Sequence, residues 1–314
     1  MGKTHNSHLK YQIAVGVGSI LINFLFPEII YEIRFWILGF VILIIGMPHG
    51  ALDHIIAFKA FDRPKNFRNQ FIFYAGYLSV MFLYGLFWVF FPFPAFMFFL
   101  LMTLYHFGQA DAERFSFEGW PKHVMLYARG LTIVGLILFS SEPYYSSSII
   151  EEVTGYSIAG ALFPIIAPDI LSNTLALIYP ISYLLLSLLK KPENLFSVLS
   201  LDALIVPFLF YYCDPIFAFS VYFGGWHAFN HTKTMLNYLE KFGENVSFMW
   251  FYKSTFLYSV ISYAGLIVLY FILQAFGNEE LLVALLFILI SVLTLPHMFV
   301  VEKMYSNFYH NKKQ

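Results

Sequence analysis

Residues 224–232 read GGWHAFNHT and lie within an otherwise apolar segment. His227 and His231 are four residues apart, so on a helix their imidazoles would stand one above the other on one face, close enough to share a metal ion. Histidine is costly in the hydrocarbon layer of a membrane and usually serves a function there. Two core histidines bonded to neighbouring carbonyls are the simpler alternative, and the rest of the chain must decide between the two.

The composition indicates a membrane protein. Of the 314 residues, 59% are hydrophobic and only 12% are charged, whereas soluble globular proteins have about 25% charged residues. The net charge of -1 gives no indication of nucleic-acid binding. A single cysteine, Cys213, excludes an intrachain disulfide and a cysteine metal cluster. The first apolar run has no small-residue cleavage site after it, and we expect it to be a retained helix.

Apolar runs of the kind that cross a bilayer, ideally about 17 to 25 residues long, occur ten times in the chain. The seventh run is the weakest because Asp202 and Pro207 interrupt it, and the polar segment 141–167 is too broken to be a further span. We therefore predict an all-α, polytopic membrane helical bundle that forms a single domain over residues 1–314. The ten predicted spans cover residues 11–26, 34–58, 71–91, 94–110, 124–140, 168–189, 196–212, 215–236, 251–276 and 281–301.

The charges of the connecting loops predict the orientation. Lys and Arg concentrate in alternate loops, whereas the intervening loops carry Glu and Asp and hardly any base apart from Arg34. Cytoplasmic loops are the ones that collect Lys and Arg. This alternation predicts a multi-pass protein of the cell (inner) membrane with both termini in the cytoplasm.

The ten histidines divide into two groups by position. Four lie in tails or at a helix edge, where we expect them to be solvated or interfacial: His5, His8, His123 and His310. The other six lie in the second, fourth, eighth and tenth predicted helices, which all run from outside to inside in this topology. Convergence at one depth favours a metal site over chance core histidines. The six are His49, His54, His106, His227, His231 and His297.

The donor types restrict which metal ion could bind. Imidazole suits Fe, Zn, Cu and Ni, and the sequence offers no thiolate or intramembrane carboxylate cluster as an alternative set of ligands. Asp53 and Asp111 could accept hydrogen bonds from imidazole N–H groups and offset the charge of the ion, although Asp111 also suits a helix end at the cytoplasmic interface. Four glycines near these motifs would let helices or a ligand approach closely: Gly50, Gly108, Gly224 and Gly225. Neighbouring aromatic residues, including Trp226, could line an apolar tunnel, but ordinary lipid-facing packing explains most of the aromatic residues.

Four stretches, taken together, resemble a known family. They are residues 48–54 (PHGALDH), 106–111 (HFGQAD), 227–232 (HAFNHT) and 295–298 (LPHM). In their order and spacing they are similar to the Brp/Blh family of bacterial and archaeal membrane β-carotene 15,15'-dioxygenases, over nearly the whole chain. The resemblance implies iron bound by histidine and oxygen-dependent cleavage of the central double bond of β-carotene to two molecules of all-trans-retinal, often for a rhodopsin in the same cell.

The same resemblance implies roles for individual residues. The Fe(2+) ligands and catalytic residues would be His49, His106, His227 and His231. Residues that support these ligands or line the pocket would be Asp53, His54, Asp111, His297 and Trp226. One departure is Asn230, where the family pattern leads us to expect a basic residue; it affects a supporting contact rather than the ligand set.

Two other classes of membrane protein compete with this interpretation. A membrane di-iron desaturase or hydroxylase would be expected to use about eight ligands in repeated paired-histidine boxes, by analogy with soluble di-iron sites, and only His227 and His231 form such a pair. A histidine-lined metal transporter would place His and Asp along a pathway and would be expected to show internal repeats, which the sequence does not display convincingly.

Overall fold

The computed structural model describes residues 2–112, 115, 117–140, 143–277 and 282–310. The regular secondary structure in those ranges is helical throughout. Two stretches are π-helical turns, Ile42–Gly46 and Phe223–Ala228, and Pro192–Phe196 is a 3-10 turn. The α-helices are α1 Gly2–Leu25, α2 Pro27–Val41, α3 Met47–Ala51, α4 Asp53–Ala60, α5 Phe67–Phe90, α6 Pro92–Ala112, α7 Trp120–Phe139, α8 Pro143–Thr154, α9 Ile158–Leu162, α10 Pro168–Lys190, α11 Val198–Tyr212, α12 Pro215–Tyr222, α13 Phe229–Glu240, α14 Phe248–Ala275 and α15 Leu282–His310.

Large apolar side chains cover the outside of the helices, as in a membrane protein. Trp36 is 80% exposed and Phe67 is 86% exposed, whereas the six histidines of the apolar helices are buried. Such a surface would be unfavourable in water and is favourable against lipid. Within the part of the chain that the structure describes, six helical segments are long and apolar enough to cross a membrane: Pro27–Ala60, Phe67–Phe90, Trp120–Phe139, Pro168–Lys190, Phe248–Ala275 and Leu285–Asn307.

The described parts of all ten predicted spans lie mainly on helices, and among the described residues six of the ten meet the length and hydropathy that a crossing requires. The seventh, now helix α11, has only 15 residues. The segment 141–167 contains the short helices α8 and α9 rather than a long one. The prediction of an all-helical membrane protein is therefore confirmed, and the count of ten spans stays a prediction.

The chain divides into two compact units, and the first consists of residues 1–41 and 100–230. Within it, α7 packs on α10, α10 on α11, α1 on α11 and α12 on α2. Helices α6 and α7 approach closely, because a Cβ atom on Gly108 would collide with the carbonyl of Leu126, and one on Gly130 would collide with the carbonyl of Leu104. Glycine at these two positions allows the backbones to touch. The core of this unit includes Ile133, Leu136, Val206, Leu209, Phe210 and Trp226.

A buried ion pair joins three helices and the second π-helical turn in the first unit. Arg129 Nη1 donates to Asp202 Oδ2 over 2.5 Å, the Tyr179 hydroxyl donates to the same oxygen over 2.9 Å, and Trp226 Nε1 donates to Oδ1 over 2.8 Å. Burial of a charge is costly unless it is paired and hydrogen-bonded. Asp202 meets both conditions, which explains why a charged residue can interrupt the apolar run of α11.

The second unit consists of residues 42–99 and 231–314. Helix α14 packs on α3, and α15 packs on α4 and α5. The core of this unit includes Leu52, Ile56, Met235, Leu239, Phe251 and Met304. This packing brings the start of α4 and the middle of α15 together, although they are far apart in sequence.

Candidate metal centre

The six histidines that the sequence singled out are all buried, each with at most 8% of its surface exposed. A buried imidazole requires partners for its ring nitrogens. The structure distributes these histidines over both units: His106 and His227 belong to the first unit and the other four to the second.

In the first unit, His106 of α6 and His227 of the π-helical turn lie in ring contact. Their ring centroids are 4.8 Å apart. The ring of Phe107 lies 4.6 Å from that of His227, and Phe223 stacks on His227 at 5.6 Å. Two of the four predicted ligands therefore meet here, among aromatic side chains that keep water away from them.

π-Helical turns accompany two of the histidine stretches. Ile42–Gly46 directly precedes the helix that carries His49, and Phe223–Ala228 contains His227. Such turns add one residue to a helical turn, change the direction of the side chains that follow, and are frequent at functional sites. The apolar pattern of both stretches predicts regular α-helix, because apolar residues alone do not distinguish the two forms.

Gln12 of α1 fixes the second π-helical turn from the side. Its Nε2 donates to the carbonyl of Gly225 over 2.7 Å and to Asn230 Oδ1 over 2.9 Å. Asn230, the position where we expected a basic residue, therefore takes part in a hydrogen bond within the first unit.

In the second unit, His49 of α3, His231 of α13 and His297 of α15 form a triangle. The ring centroids of His297 lie 5.2 Å from His49 and 5.3 Å from His231, and those of His49 and His231 are 5.9 Å apart. Imidazoles that bind one ion at about 2.1 Å would place their centroids about 4.6 to 5.3 Å apart. Two of the three separations agree with this range and the third is slightly longer. His297, predicted only as a supporting residue, lies beside two predicted ligands.

Each imidazole of this triangle contacts the protein through Nδ1. His297 Nδ1 lies 2.8 and 2.9 Å from the two oxygens of Asp53, His231 Nδ1 lies 3.3 Å from the Tyr305 hydroxyl, and His49 Nδ1 lies 3.2 Å from the Ile45 carbonyl. With Nδ1 engaged, Nε2 is the nitrogen that each ring would offer to a metal. Protein metal sites commonly hold their histidines in this way.

The donor set of the second unit fits a divalent ion such as iron or zinc, because it consists of imidazoles supported by one carboxylate. The three ring planes lie 79°, 87° and 89° from one another. Among the side chains that the structure describes, no group of three or more His, Cys, Asp or Glu donors already forms a coordination shell. Binding of an ion would therefore require the rings to turn toward a common point.

The other predicted residues have different surroundings. The ring of His54 lies 4.3 Å from that of Tyr258, and its Nδ1 lies 2.7 Å from the Ala51 carbonyl. Trp226 binds Asp202 within the first unit. Asp111 is outside the residues whose side chains the structure describes.

A groove of about 280 Å³ opens beside the second π-helical turn, within the first unit. Its lining includes Tyr11, Val15, Gly225 and Phe229. A Cβ atom on Gly225 would meet no described atom within 4 Å, whereas one on Gly224 would lie 2.9 Å from the Val41 side chain. The predicted close approach therefore applies to Gly108 and Gly224, while Gly50 and Gly225 have open space around them.

Comparisons with known proteins agree with the motifs. A family model described as Beta-carotene 15,15'-dioxygenase matches residues 40–305, which include all six buried histidines. A curated relative, the Beta-carotene 15,15'-dioxygenase of uncultured marine bacterium 66A03, is 26% identical over 278 residues, which is 85% of this chain and 92% of that protein. No solved structure matches the chain.

Proposed function

Because this chain belongs to the β-carotene 15,15'-dioxygenase family, we propose that it cleaves the central double bond of β-carotene with dioxygen to give two molecules of all-trans-retinal. The observation that carries this proposal is the burial of histidines in ring contact within the region that the family model matches. Imidazoles in an apolar interior suit a redox-active metal and an apolar substrate.

The metal that we propose is Fe(2+), with His49, His106, His227 and His231 as its ligands. Support comes from the donor chemistry and from the contacts within each unit: His106 lies against His227, and His49 lies against His231. Bound iron would supply the activation of dioxygen, which organic side chains do not provide. The chain itself would hold the imidazoles in place and exclude water.

The surrounding side chains explain how the substrate would be handled. Phe107 and Phe223 lie against His227, so they would keep water from the reacting centre. The groove beside Gly225 has mainly apolar walls and suits one end of a long isoprenoid that enters from the bilayer. Selection of one double bond then depends on how far the polyene reaches along the protein. Retinal is itself apolar, and a retinal-binding rhodopsin in the same membrane is the acceptor that we propose.

The main test is chromatography of carotenoids from cells that make β-carotene and express this chain. We expect retinal without longer apocarotenals, and we expect His106→Ala to abolish both the product and the bound iron. His123→Ala is the control, because His123 is exposed. If β-carotene stays intact while the purified protein contains iron, the dioxygenase proposal is wrong. Hydroxylated or desaturated carotenoids would instead favour a di-iron enzyme, and metal uptake without any carotenoid product would favour a transporter.

A pair of glycine variants tests the route of the substrate. Gly225→Leu should slow β-carotene cleavage and leave the bound iron unchanged, because the added side chain would enter the groove rather than the packed interior. Gly224→Leu is the matched comparison: its side chain would press on Val41, so we expect it to lower stability as overpacking does. Equal cleavage rates in wild type and folded Gly225→Leu would exclude this groove as the route.

The membrane arrangement that we propose has about ten spans, with both termini on the cytoplasmic side of the cell (inner) membrane. Reporter fusions at Glu151 and at the C-terminal end of the chain should therefore report opposite sides. Identical answers from the two fusions would contradict the proposed number of spans.

A further inference from the structure

We propose that His297 binds the metal together with His49 and His231, and that Asp53 holds His297 in its ligating orientation. This inference rests on the proposed function, since it assumes a metal at the histidine centre. It adds a ligand from α15 that the resemblance alone ranked below the other four.

The distances between the three rings suit a third ligand. His297 lies closer to His49 and to His231, at 5.2 and 5.3 Å, than those two rings lie to each other, at 5.9 Å. A ring that only supported one ligand from behind would contact that ligand and stay away from the second. His297 instead lies at the corner of a nearly regular triangle, as a third ligand would.

The contact of His297 with Asp53 is typical of a histidine that binds a metal. Both carboxylate oxygens lie within 2.9 Å of Nδ1 of His297, and the Tyr77 hydroxyl donates to Oδ2 over 3.0 Å. A carboxylate on Nδ1 fixes the tautomer, directs Nε2 away from the carboxylate and makes that nitrogen a better ligand. The negative charge of Asp53 would also offset part of the charge of a divalent ion.

All three rings of the triangle have a partner at Nδ1. Asp53, Tyr305 and the Ile45 carbonyl each lie against the Nδ1 atom of one of the three rings. His54 is equally buried, belongs to the same unit and also has a carbonyl against its Nδ1, that of Ala51, but its ring lies against Tyr258 outside this triangle. The position of the ring, rather than the Nδ1 contact alone, therefore distinguishes His297 from a neighbouring histidine of the same family motifs.

The competing explanation is a purely structural link between α4 and α15 through Asp53 and His297. The two explanations predict different results for the Fe(II) affinity of folded protein. A structural link would lower the stability of the variants and leave the affinity of the folded molecules unchanged. A ligand would lower the affinity even where the fold is intact.

The experiment uses the full chain in detergent micelles, loaded with Fe(II) without oxygen, and measures affinity by competition with a coloured chelator. We expect His297→Ala to lose Fe(II) affinity and Asp53→Asn to lose about 10- to 100-fold, the usual effect of removing a residue that supports a metal-binding histidine. His297→Gly should regain Fe(II) when free imidazole is added, because imidazole can occupy the space of the missing ring. His123→Ala is the control and should keep the wild-type affinity, because His123 is exposed.

Several results would overturn the inference. Folded His297→Ala with wild-type Fe(II) affinity would do so, and if that variant still produced retinal, the proposed function would stand without it. If His297→Ala does not fold, wild-type affinity in Asp53→Asn together with failure of imidazole to restore Fe(II) to His297→Gly would overturn it as well. A wild-type protein that binds no Fe(II) would overturn both proposals.

Discussion

Asp202 in the first unit and Asp53 in the second are both buried carboxylates, with 2% and 3% of their surfaces exposed, but their partners differ in kind. Asp202 accepts hydrogen bonds from Arg129, Tyr179 and Trp226. Asp53 contacts His297 and Tyr77. In both places a tyrosine hydroxyl donates to the carboxylate, so the main difference is between a guanidinium and an imidazole.

That difference decides what each carboxylate can do. A guanidinium is always charged and has only donors, so Arg129 cannot bind a metal, and we expect the Arg129–Asp202 pair to act on stability. An imidazole has a second nitrogen that can bind a metal while the first contacts a carboxylate. We therefore expect Asp202 to stabilise the fold and Asp53 to act on the metal.

The largest effect should come from Asp202→Ala. This change would leave the charge of Arg129 buried without its carboxylate, and breaking a buried pair in this way costs about 3 to 5 kcal/mol. We expect a low yield of folded protein and a large drop in the unfolding temperature measured in detergent. Asp202→Asn keeps one acceptor oxygen, which can accept from Trp226 or from Tyr179 but not from both, because these two donate to different oxygens of Asp202; it should be less damaging than Asp202→Ala. A stable Asp202→Ala protein would remove the distinction between the two carboxylates.

Asp53→Asn should show the reverse pattern. We expect its Fe(II) affinity to fall about 10- to 100-fold, or about 1.4 to 2.7 kcal/mol, while the unfolding temperature of the metal-free protein changes little. Calorimetry of the metal-free protein alongside the chelator competition separates the two quantities. A large loss of stability with unchanged affinity would place Asp53 in the same class as Asp202.

The smallest effects should come from a matched pair of tyrosine variants. Tyr179→Phe and Tyr77→Phe each remove one hydroxyl that donates to a buried carboxylate, a change of about 1 kcal/mol. We expect the first to lower the unfolding temperature and the second to weaken Fe(II) binding by a few-fold. If both variants change only the unfolding temperature, or both change only the Fe(II) affinity, the proposed difference between Asp202 and Asp53 is wrong.

The apolar runs were sufficient to predict an all-helical membrane protein, because the surface that faces lipid must be apolar along each crossing helix. The buried histidines were predictable for a related reason, since polar residues in such helices turn inward. The pairing of Arg129 with Asp202 was missed because Asp202 was interpreted as a break in the seventh run. The presence of one basic and one acidic residue in two separate apolar helices could have predicted this pairing, because charges inside a membrane usually pair with one another.

His297 shows a second limit of the sequence. Its contact with Asp53 joins residues that are 244 positions apart, and no local pattern predicts which carboxylate a distant histidine will meet. The π-helical turns were not predictable either, because one extra residue in a helical turn leaves the apolar pattern almost unchanged. The sequence therefore indicates the functional residues more readily than the contacts between them.

The turn at Phe223–Ala228 makes the hydrogen-bonding pattern of this segment as important as its composition. If the same six residues adopted ordinary α-helical pitch, the helix would stay continuous, but the residues on one side would rotate by about 100° relative to those on the other. That rotation would carry His227 away from His106 without altering either side chain. Substitutions in this segment can therefore disturb the histidine pair through the backbone even where they leave both imidazoles in place.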